Sequence, residues 1–351
     1  MKIVIAIPTL AMGGAERLAV LQAREFAKNG HNVTILTAYN KPDFYTVPPE
    51  VNRVHLNLPH VHASFWHRAR VAAYVAKTLL GILPDVLISH MMFNASLIGI
   101  ILGIKTIFVE HLVLNTETLT FTKRFVLNKA HACVFLSERD RITFNRLKFK
   151  SRCEVIYNPA IKPELEEDVL PPFMKPSLNA VAVGRLVRQK GFDILINAWA
   201  EVAKTEPDWH LSIVGEGPQL SELQDIIQTA NLESKVTLAG SYHNIAAVYK
   251  NADIFVLSSR SEGFPLALCE AMSWNVPPVA FDCETGPNVI IRDGEDGVLV
   301  TDLNADALAR AIKDFIKNTP LRTQCAQATA EVTERFSLQK YIDAYEFLFK
   351  N

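Results

Sequence analysis

Two glutamates eight positions apart, Glu262 and Glu270, are the first candidates for chemistry in this chain of 351 residues. Glu262 lies in a polar loop after the apolar run DIFVLSS, and Glu270 lies within the apolar run ALCEAM, where no cation stands at helical spacing to neutralise it. Such a carboxylate is either solvated on an exposed helix face or accepts hydrogen bonds from a ligand, because burying an unpaired charge is unfavourable. Taken alone, an exposed face is the more common outcome.

The helix that carries Glu270 is predicted to begin at Pro265, a residue that suits a first helical turn. The free amides at this helix start, including those of Leu266 and Ala267, form an anion site to which the helix dipole contributes about 0.3 to 1 kcal/mol. We therefore expect a phosphate to bind where the polar loop meets the helix.

Two cations follow the apolar run NAVAVG, with Arg185 at the predicted strand end and Lys190 five residues later. Cations in this position are typical of a diphosphate clamp, although for an isolated pair two solvated surface charges are the more common outcome. Arg188 is a weaker candidate. Near the start of the chain, Gly13 and Gly14 follow another apolar run and would allow a backbone to approach a phosphate closely, as would a simple tight turn.

The Glu-x7-Glu pattern after a strand and across a helix start resembles the retaining glycosyltransferases of the GT-B fold. The segment SSRSEGFPLALCEAMSWNVPPVA is similar to glycosyltransferase family 4 in its strand, loop and helix. The resemblance implies that Glu270 holds the ribose of a nucleotide sugar and that Glu262 lies at the transferred sugar. It also assigns Arg185 and Lys190 to the donor pyrophosphate, where they would stabilise the leaving group. Asn275 departs from the glycine that is common in the family, but asparagine tolerates the left-handed helix cap.

The resemblance extends to donor contacts elsewhere in the chain. It places the glycine loop at the diphosphate and the acceptor, and it places His111, after the run TIFVE, beside the transferred sugar, with Glu110 less strongly supported. Gly215 and Tyr242 follow successive predicted strands and would line the nucleotide pocket, although ordinary turns explain them equally. The implied catalytic set is Glu262, His111, Arg185 and Lys190, and the implied donor-binding set is Gly13, Gly14, Arg185, Lys190, Gly215, Tyr242, Glu262, Gly263, Phe264, Pro265, Leu266 and Glu270.

Asp282 and Glu284, after the run VPPVAF, imitate a metal-binding Asp-x-Glu motif. Because cations and helix amides already serve the phosphates, and because GT-B enzymes generally need no divalent ion, we expect no metal site. The nucleotide sugar is then a co-substrate, and no cofactor is expected.

The elements that must position these residues alternate along the chain. Nearly all-apolar runs separated by helical patterns predict parallel sheets covered on both faces. The fold class is thus α/β, and the resemblance specifies GT-B, with two Rossmann-like doubly wound domains facing across a cleft. The predicted boundaries are an acceptor-binding domain over residues 1–165, a linker over 166–177, a nucleotide-sugar domain over 178–335, and a last helix over 336–351 that packs back on the first domain.

Composition agrees with a folded globular protein, since apolar residues make up 49% of the chain and charged residues 21%. Five scattered cysteines without a C-x-x-C pair indicate a reduced, cytosolic chain without a disulfide framework. The longest apolar stretch, residues 91–104, falls short of the ~20 residues of a membrane span. The first ten residues are predicted to form a strand rather than a signal peptide.

Charge is distributed unevenly: residues 1–168 carry 20 Lys and Arg against 14 Asp and Glu, and the remainder carries 16 against 23. A basic first half suggests an anionic partner, although random drift explains an imbalance of this size equally. The predicted helix over 64–80 contains Arg68, Arg70 and Lys77 beside two aromatic residues. It fits either an interfacial helix that meets anionic lipid or a packed helix with a basic outer face.

These features together predict transfer of a hexose or N-acetylhexosamine from a UDP-sugar to a glycan acceptor that is lipid-linked, with retention of configuration. By resemblance, the protein builds lipopolysaccharide, capsule or another lipid-linked glycan and lies on the cytoplasmic face of the inner membrane. No nucleic acid partner is expected. The alternatives are a non-hydrolysing nucleotide-sugar epimerase, a sugar-nucleotide-binding protein without turnover and an NAD-dependent oxidoreductase. The third glycine of the dinucleotide motif is missing after Gly217, which disfavours the last.

Overall fold

The computed structural model describes residues 1–11, 13–58, 65–111, 113–114 and 119–350, with the side chains of residues 65–68 outside this description. The chain divides into two compact units, Met1–Asn158 together with the residues from Gln339 onward, and Pro159–Leu338. The predicted linker over 166–177 falls within the second unit, and the last helix falls with the first.

Within the described residues, the first unit contains a seven-stranded parallel sheet with the strand order β3-β2-β1-β4-β5-β6-β7. Its central strands are buried on both faces, which is why they appear in the sequence as continuous apolar runs. The strands are β1 (Lys2–Ile7), β2 (Asn32–Tyr39), β3 (Asn52–Leu58), β4 (Val86–His90), β5 (Lys105–Val109), β6 (Ala132–Phe135) and β7 (Arg152–Val155).

Helices connect the successive strands of this sheet, except β2 and β3, and bury an apolar stripe against it. The Thr120 and Ser137 side chains cap two of them by accepting a hydrogen bond from the first helical turn. The helices are α1 (Gly14–Lys28), α2 (Phe65–Ile82), α3 (Phe93–Ile101), α4 (Phe121–Lys129) and α5 (Glu138–Arg146). Among the described residues, none of the helices combines the length and apolar composition needed to cross a bilayer.

The second unit is built on a six-stranded parallel sheet in its described residues, with the order β10-β9-β8-β11-β12-β13. Trp199, fully buried, lies in the main core between this sheet and the helices on one face. The strands are β8 (Asn179–Val183), β9 (His210–Val214), β10 (Val236–Gly240), β11 (Ile254–Leu257), β12 (Pro278–Phe281) and β13 (Val298–Val300). The helices are α6 (Phe192–Thr205), α7 (Leu220–Thr229), α8 (Ile245–Lys250), α9 (Leu266–Ser273), α10 (Pro287–Ile290), α11 (Ala305–Lys317), α12 (Thr319–Ala328) and α13 (Val332–Arg335), followed by α14 (Leu338–Lys350).

The strand order reverses once in each sheet, between β1 and β4 in the first unit and between β8 and β11 in the second. Loops on the two sides of such a reversal diverge and leave a crevice beyond the carboxyl ends of the strands. The predicted pair of doubly wound parallel sheets is confirmed. The candidate residues after β1, β8 and β11 therefore lie beside the two reversals.

The α14 helix packs into the core of the first unit. The ring of Phe26 on α1 lies edge-on to Phe349 and Tyr345, with centroid distances of 5.1 and 6.4 Å. Lys105 on β5 donates a hydrogen bond to the Phe349 carbonyl at 2.8 Å. The α14 helix is therefore part of the core of the first unit.

We predict that Phe349→Ala, which removes a ring that is only 3% exposed, lowers the free energy of unfolding by about 3 kcal/mol. The loss combines transfer free energy with the cavity left beside Phe26. Urea unfolding followed by circular dichroism measures it. Phe121→Ala, at a ring that is 85% exposed, is the matched control and is expected to change stability little. Equal effects of the two variants would contradict this account of α14.

Candidate active site

A buried ion pair joins the loops that follow β8 and β11. Lys190 Nζ lies 2.6 Å from Glu262 Oε1, and the Ser259 hydroxyl donates to the same oxygen at 2.6 Å. Glu262 is only 6% exposed. A buried carboxylate with both a counter-charge and a hydroxyl donor is satisfied as an anion, and its ammonium partner keeps donors free for a further anion.

Backbone contacts hold these two loops together. Gly191, next to Lys190, has φ +66°, and a Cβ there would lie 2.0 Å from the Ser258 carbonyl oxygen. The Ser258 hydroxyl in turn donates to the Lys190 carbonyl at 3.0 Å, and the Arg260 amide donates to the Gln189 carbonyl at 2.8 Å. A glycine in the left-handed conformation is thus required where the two loops are in contact. This contact fixes the direction from which the Lys190 side chain approaches Glu262.

A second ion pair supports the first. The Arg260 guanidinium makes two hydrogen bonds to the Asp193 carboxylate, at 2.7 and 2.8 Å, and one to the Arg188 carbonyl at 2.7 Å. Hydrogen bonds from Arg260 lower the pKa of Asp193. This bidentate pair ties the loop after β11 to the first turn of α6, which keeps Glu262 within reach of Lys190.

Glu270 is buried on α9, at 8% exposure, so the solvated helix face is excluded. Its Oε2 atom accepts a hydrogen bond from the hydroxyl of Tyr249, at 3.0 Å, and Tyr249 is itself fully buried on α8. The tyrosine holds one carboxylate oxygen in place. Glu270 is therefore an oriented acceptor rather than a surface charge.

The helix that contains Glu270 begins at Leu266, and Pro265 is its N-cap residue rather than part of the first turn. The Pro265 carbonyl accepts from the Leu268 and Cys269 amides, so the amides of Leu266 and Ala267 precede the first intrahelical bonds, as expected of an anion site. Asn275 has φ +63° after the helix, which confirms the left-handed cap expected there.

Phe264 and Gly263 also belong to the predicted donor set, and both are at least partly buried. The Phe264 ring is 6% exposed and lies edge-on to Phe336, with centroids 5.2 Å apart. Gly263, which precedes it, is half-buried.

Gly215 follows β9 and packs against the backbone at the end of β8. A Cβ at this position would lie 1.9 Å from the Gly184 carbonyl oxygen, so glycine is required by packing whether or not a ligand binds. Arg185 is exposed, and its side chain forms no hydrogen bond or ion pair with the described part of the chain. The structure thus brings Lys190 and Glu262 together and leaves Arg185 outside the pair.

Tyr242 follows β10, the strand at the edge of the second sheet. Its ring is edge-on to Phe173, at 5.2 Å between centroids. It also lines an open cavity of about 400 Å³ whose walls are Glu166, Glu167, Val169, Tyr242, His243 and Asn244. Lys190 and Glu262 are not part of that wall. The cavity is acidic, which does not suit a phosphate.

Asp282 is half-buried and Glu284 is exposed after β12. In the part of the chain that the structure describes, no three His, Cys, Asp or Glu side chains are grouped as a metal site requires. The five cysteines are free thiols.

In the first unit, His111 follows β5 and its Nε2 atom lies 2.7 Å from Nδ1 of His90, at the end of β4. Burial lowers the pKa of His111 to about 4 and holds the pKa of His90 well below its ordinary value. Both rings are therefore neutral near pH 7. Glu110, beside His111, forms a buried ion pair with Lys123 at 2.5 Å.

The predicted glycine loop caps α1. Gly13 is the N-cap residue, Gly14 begins the helix, and a Cβ on Gly13 would lie 2.2 Å from Glu16 Oε2, so the Glu16 side chain folds over this position. On α2, Arg70 and Lys77 are exposed. The side chain of Arg68 lies outside the described residues.

Four residues that hold candidate groups were not predicted: Ser259, Tyr249, His90 and Gln22. Ser259 adjoins the predicted loop, and His90 ends an apolar strand as the other candidates do, so position could have indicated both. Gln22 is a fully buried polar residue on the apolar face of α1, which is a second usable signal. Tyr249 has no local signal, because its partner is far away in sequence.

We predict that the first unit loses stability as the pH falls from about 6.5 to about 4. In this window the unfolded chain takes up protons on histidines, whereas His111 in the folded chain does so only near pH 4. The stability is fully present above pH 6.5. Hydrogen–deuterium exchange of the β4 and β5 amides at several pH values measures the effect.

The His111→Gln variant should show a shallower loss over this range, and His243→Gln, at an exposed ring in the second unit, is the matched control. A pH dependence unchanged by His111→Gln would contradict the assignment.

Comparison with known proteins identifies the two halves of the chain separately. Residues 12–160 match the family model Glycosyltransferase Family 4, and residues 172–332 match the model Glycosyl transferases group 1. The amylovoran biosynthesis glycosyltransferase AmsD of Erwinia amylovora is 26% identical over 343 residues, which cover 94% of this chain and 95% of AmsD.

A GalNAc-α-(1→4)-GalNAc-α-(1→3)-diNAcBac-PP-undecaprenol α-1,4-N-acetyl-D-galactosaminyltransferase of Campylobacter jejuni is 27% identical over 352 residues, covering 96% of this chain and 95% of that protein. Among solved structures, HepE of Anabaena in complex with UDP and glucose aligns over 100% of both chains with a TM-score of 0.79 at 21% identity. The fold of this chain is therefore GT-B, and the chain belongs to the group 1 glycosyltransferases with a Family 4 amino-terminal half.

Proposed function

We propose that this glycosyltransferase transfers a hexose or N-acetylhexosamine from a UDP-sugar to a lipid-linked glycan, with retention of anomeric configuration. The reaction serves assembly of a bacterial surface polysaccharide, such as lipopolysaccharide, O-antigen or capsule, or of a glycoprotein glycan. The observation that carries the proposal is the buried Lys190–Glu262 pair beside the Glu270 helix, at the strand reversal of the second unit.

The donor diphosphate binds at Lys190, at Arg185 and at the first amides of α9. Lys190 uses one of its three donors on Glu262, which leaves two for phosphate oxygens. Arg185 is exposed and has no side-chain partner among the described residues, so binding a phosphate breaks no existing interaction. Cations and helix amides supply the positive charge, and the proposal includes no divalent metal or other cofactor.

Glu270 accepts hydrogen bonds from the ribose of the donor. Tyr249 holds Oε2 at 3.0 Å, so the carboxylate is oriented before a ligand arrives. A buried, oriented carboxylate favours a partner with hydroxyl groups, because each hydroxyl can donate a hydrogen bond to it.

In the transfer step, the acceptor hydroxyl forms a bond to the anomeric carbon on the face from which the diphosphate departs. The bond from that carbon to the phosphate oxygen breaks, and the departing phosphate takes the acceptor proton. Lys190 and Arg185 stabilise the charge on the leaving group. Glu262 lies at the transferred sugar, where its anion stabilises the positive charge that develops on the ring, so no side-chain base is required.

Two relatives support the choice of substrates. HepE is described in complex with UDP and glucose, and the Campylobacter relative carries an undecaprenol diphosphate glycan in its name. These agree with a UDP-sugar donor and a lipid-linked acceptor for this chain.

We predict that Lys190→Ala and Glu270→Ala each lower kcat/KM for transfer by roughly 100-fold or more. Lys190→Ala removes leaving-group stabilisation and leaves Glu262 buried without its counter-charge, and Glu270→Ala removes the ribose contact. A thermal-shift screen of nucleotide sugars identifies the donor, and mass spectrometry and NMR of the product give the linkage and its anomeric configuration.

Lys204→Ala and Glu233→Ala, at exposed positions of the same unit, are the matched controls and should retain activity. Near wild-type transfer by folded Lys190→Ala and Glu270→Ala would reject the site. Isomerisation of the donor without an acceptor would indicate an epimerase, donor binding without turnover would indicate a binding protein, and an inverted product would reject retention.

We propose further that α2 brings the protein to the cytoplasmic face of the inner membrane. Arg70, Tyr74, Lys77 and Leu80 recur at helical spacing and are exposed, which gives a basic and apolar stripe on one side of the helix. Anionic lipid attracts such a stripe by about 1 kcal/mol for each cation near the surface.

Binding to vesicles with anionic lipid should therefore exceed binding to neutral vesicles in low salt, and the double variant Arg70→Glu with Lys77→Glu should lose most of it. Co-sedimentation measures the bound fraction. The control pair Lys204→Glu with Arg310→Glu makes the same change of charge at exposed positions of the second unit. Equal losses in both pairs, or no binding by the wild type, would reject α2 as the membrane contact.

A further inference from the structure

A row of hydrogen-bonded side chains leads from His111 into the core of the first unit. His111 Nε2 lies 2.7 Å from His90 Nδ1, and His90 Nε2 lies 3.0 Å from Gln22 Oε1. Gln22 Nε2 donates to the Tyr341 hydroxyl at 3.2 Å. Tyr345, one turn further along α14, packs against Tyr341 with ring centroids 5.0 Å apart. Four elements therefore contribute to one chain of polar groups.

The row is sealed from solvent except at His111. His90 and Gln22 are fully buried, and Tyr341 and Tyr345 are buried at 3% and 1% exposure. Within the described residues, none of these four side chains belongs to an ion pair. Neutral groups in such a setting must satisfy each other's donors and acceptors, which restricts where their protons reside.

The direction of the row follows from Gln22. Its amide nitrogen donates to the Tyr341 hydroxyl, and its amide oxygen faces His90 Nε2. An amide oxygen carries no hydrogen and can only accept a hydrogen bond. Gln22 Oε1 is therefore an acceptor, and His90 Nε2 carries a proton.

The same logic fixes His111. With its proton on Nε2, neutral His90 has an unprotonated Nδ1, which can only accept a hydrogen bond. His111 Nε2 must then carry the proton that lies between the two rings. Nδ1 of His111 remains as the acceptor, and no described residue bonds to it.

We propose that Gln22 and His90 are positioning residues that hold His111 as the Nε2–H tautomer, so that its Nδ1 accepts a hydrogen bond from a hydroxyl of the transferred sugar. The identity of the ligand rests on the proposed function, whereas the tautomer rests on the row of side chains alone. His111 in this form offers an acceptor and no donor at Nδ1. The site therefore favours a sugar that carries a hydroxyl there over the corresponding deoxy sugar.

The tautomer is measured directly by long-range ¹H–¹⁵N NMR of the full chain labelled with ¹⁵N-histidine. His90→Gln and His111→Gln assign the two rings by loss of their signals. We expect both rings of the wild-type protein as Nε2–H tautomers near pH 7. A wild-type His111 in the Nδ1–H form would overturn the proposal, and this measurement requires no variant of the buried residues to be active.

Gln22→Met keeps the length of the side chain and removes the amide. Without Oε1 to accept its proton, His90 is expected to move that proton to Nδ1, and His111 should then appear in the Nδ1–H form. The kcat/KM for transfer should fall about tenfold. Gln339→Met, at an exposed glutamine on α14, is the matched control and should leave the His111 signals and the activity unchanged.

Replacements of His90 separate hydrogen bonding from packing. Glutamine at 90 can accept from His111 Nε2 and donate to Gln22, whereas phenylalanine fills the space without either bond. We therefore expect His90→Gln to retain the His111 tautomer and most of the activity, and His90→Phe to lose both. Equal activity of the two variants, with His111 as Nε2–H in each, would overturn the positioning role.

The two levels of the proposal fail in distinguishable ways. Normal transfer by a wild-type protein with His111 as Nδ1–H overturns the inference and leaves the function intact. The expected tautomer in a protein that transfers no sugar supports the positioning of His111 and overturns the proposed function.

Discussion

The ion pair between Lys190 and Glu262 is the interaction on which the second unit's candidate site depends. Its members lie on separate loops that follow neighbouring strands, so it forms only if those loops touch. The contact between the loops requires Gly191 in the left-handed conformation beside the Ser258 carbonyl. The ion pair of Arg260 with Asp193 stabilises this contact. The burial of two charges would be unfavourable without this close geometry, and the geometry is set by the strand reversal between β8 and β11.

The central strands of each sheet could be predicted from the sequence, and of the four edge strands only β10 could. The predicted runs correspond to β1, β2, β4, β5 and β6 and to β8 through β12; apart from the edge strand β10, these are largely buried by helices on both faces and therefore appear as unbroken apolar segments. The strands β3, β7 and β13 lie at sheet edges and are half-exposed along much of their length. The strands β3 and β7 contain polar residues and β13 has only three residues, so no long apolar run marks them. Pairing with a neighbouring strand is what makes them strands.

A similar limit applies to the site. The family resemblance predicted Lys190 and Glu262, and their positions after apolar strands agree with it, because such positions meet at one edge of a parallel sheet. The burial of Glu270 could not be inferred, since the hydroxyl that satisfies it belongs to Tyr249, on another helix and 21 residues away. Sequence patterns report the local environment of a residue. The partner that makes a buried polar group acceptable is supplied by the tertiary fold.

The two units keep ionisable side chains out of water in opposite ways. Lys190 and Glu262 lie close enough to neutralise each other, whereas burial keeps His90 and His111 neutral, and the His111 ring and the Gln22 amide oxygen satisfy the two nitrogens of His90. A neutral imidazole offers hydrogen bonds but no charge. In the proposed reaction, the negative charge that develops on the departing diphosphate is therefore stabilised by Lys190, Arg185 and the amides of α9. In the same proposal, His111 has a different role, the selection of the sugar through one hydrogen bond of fixed direction.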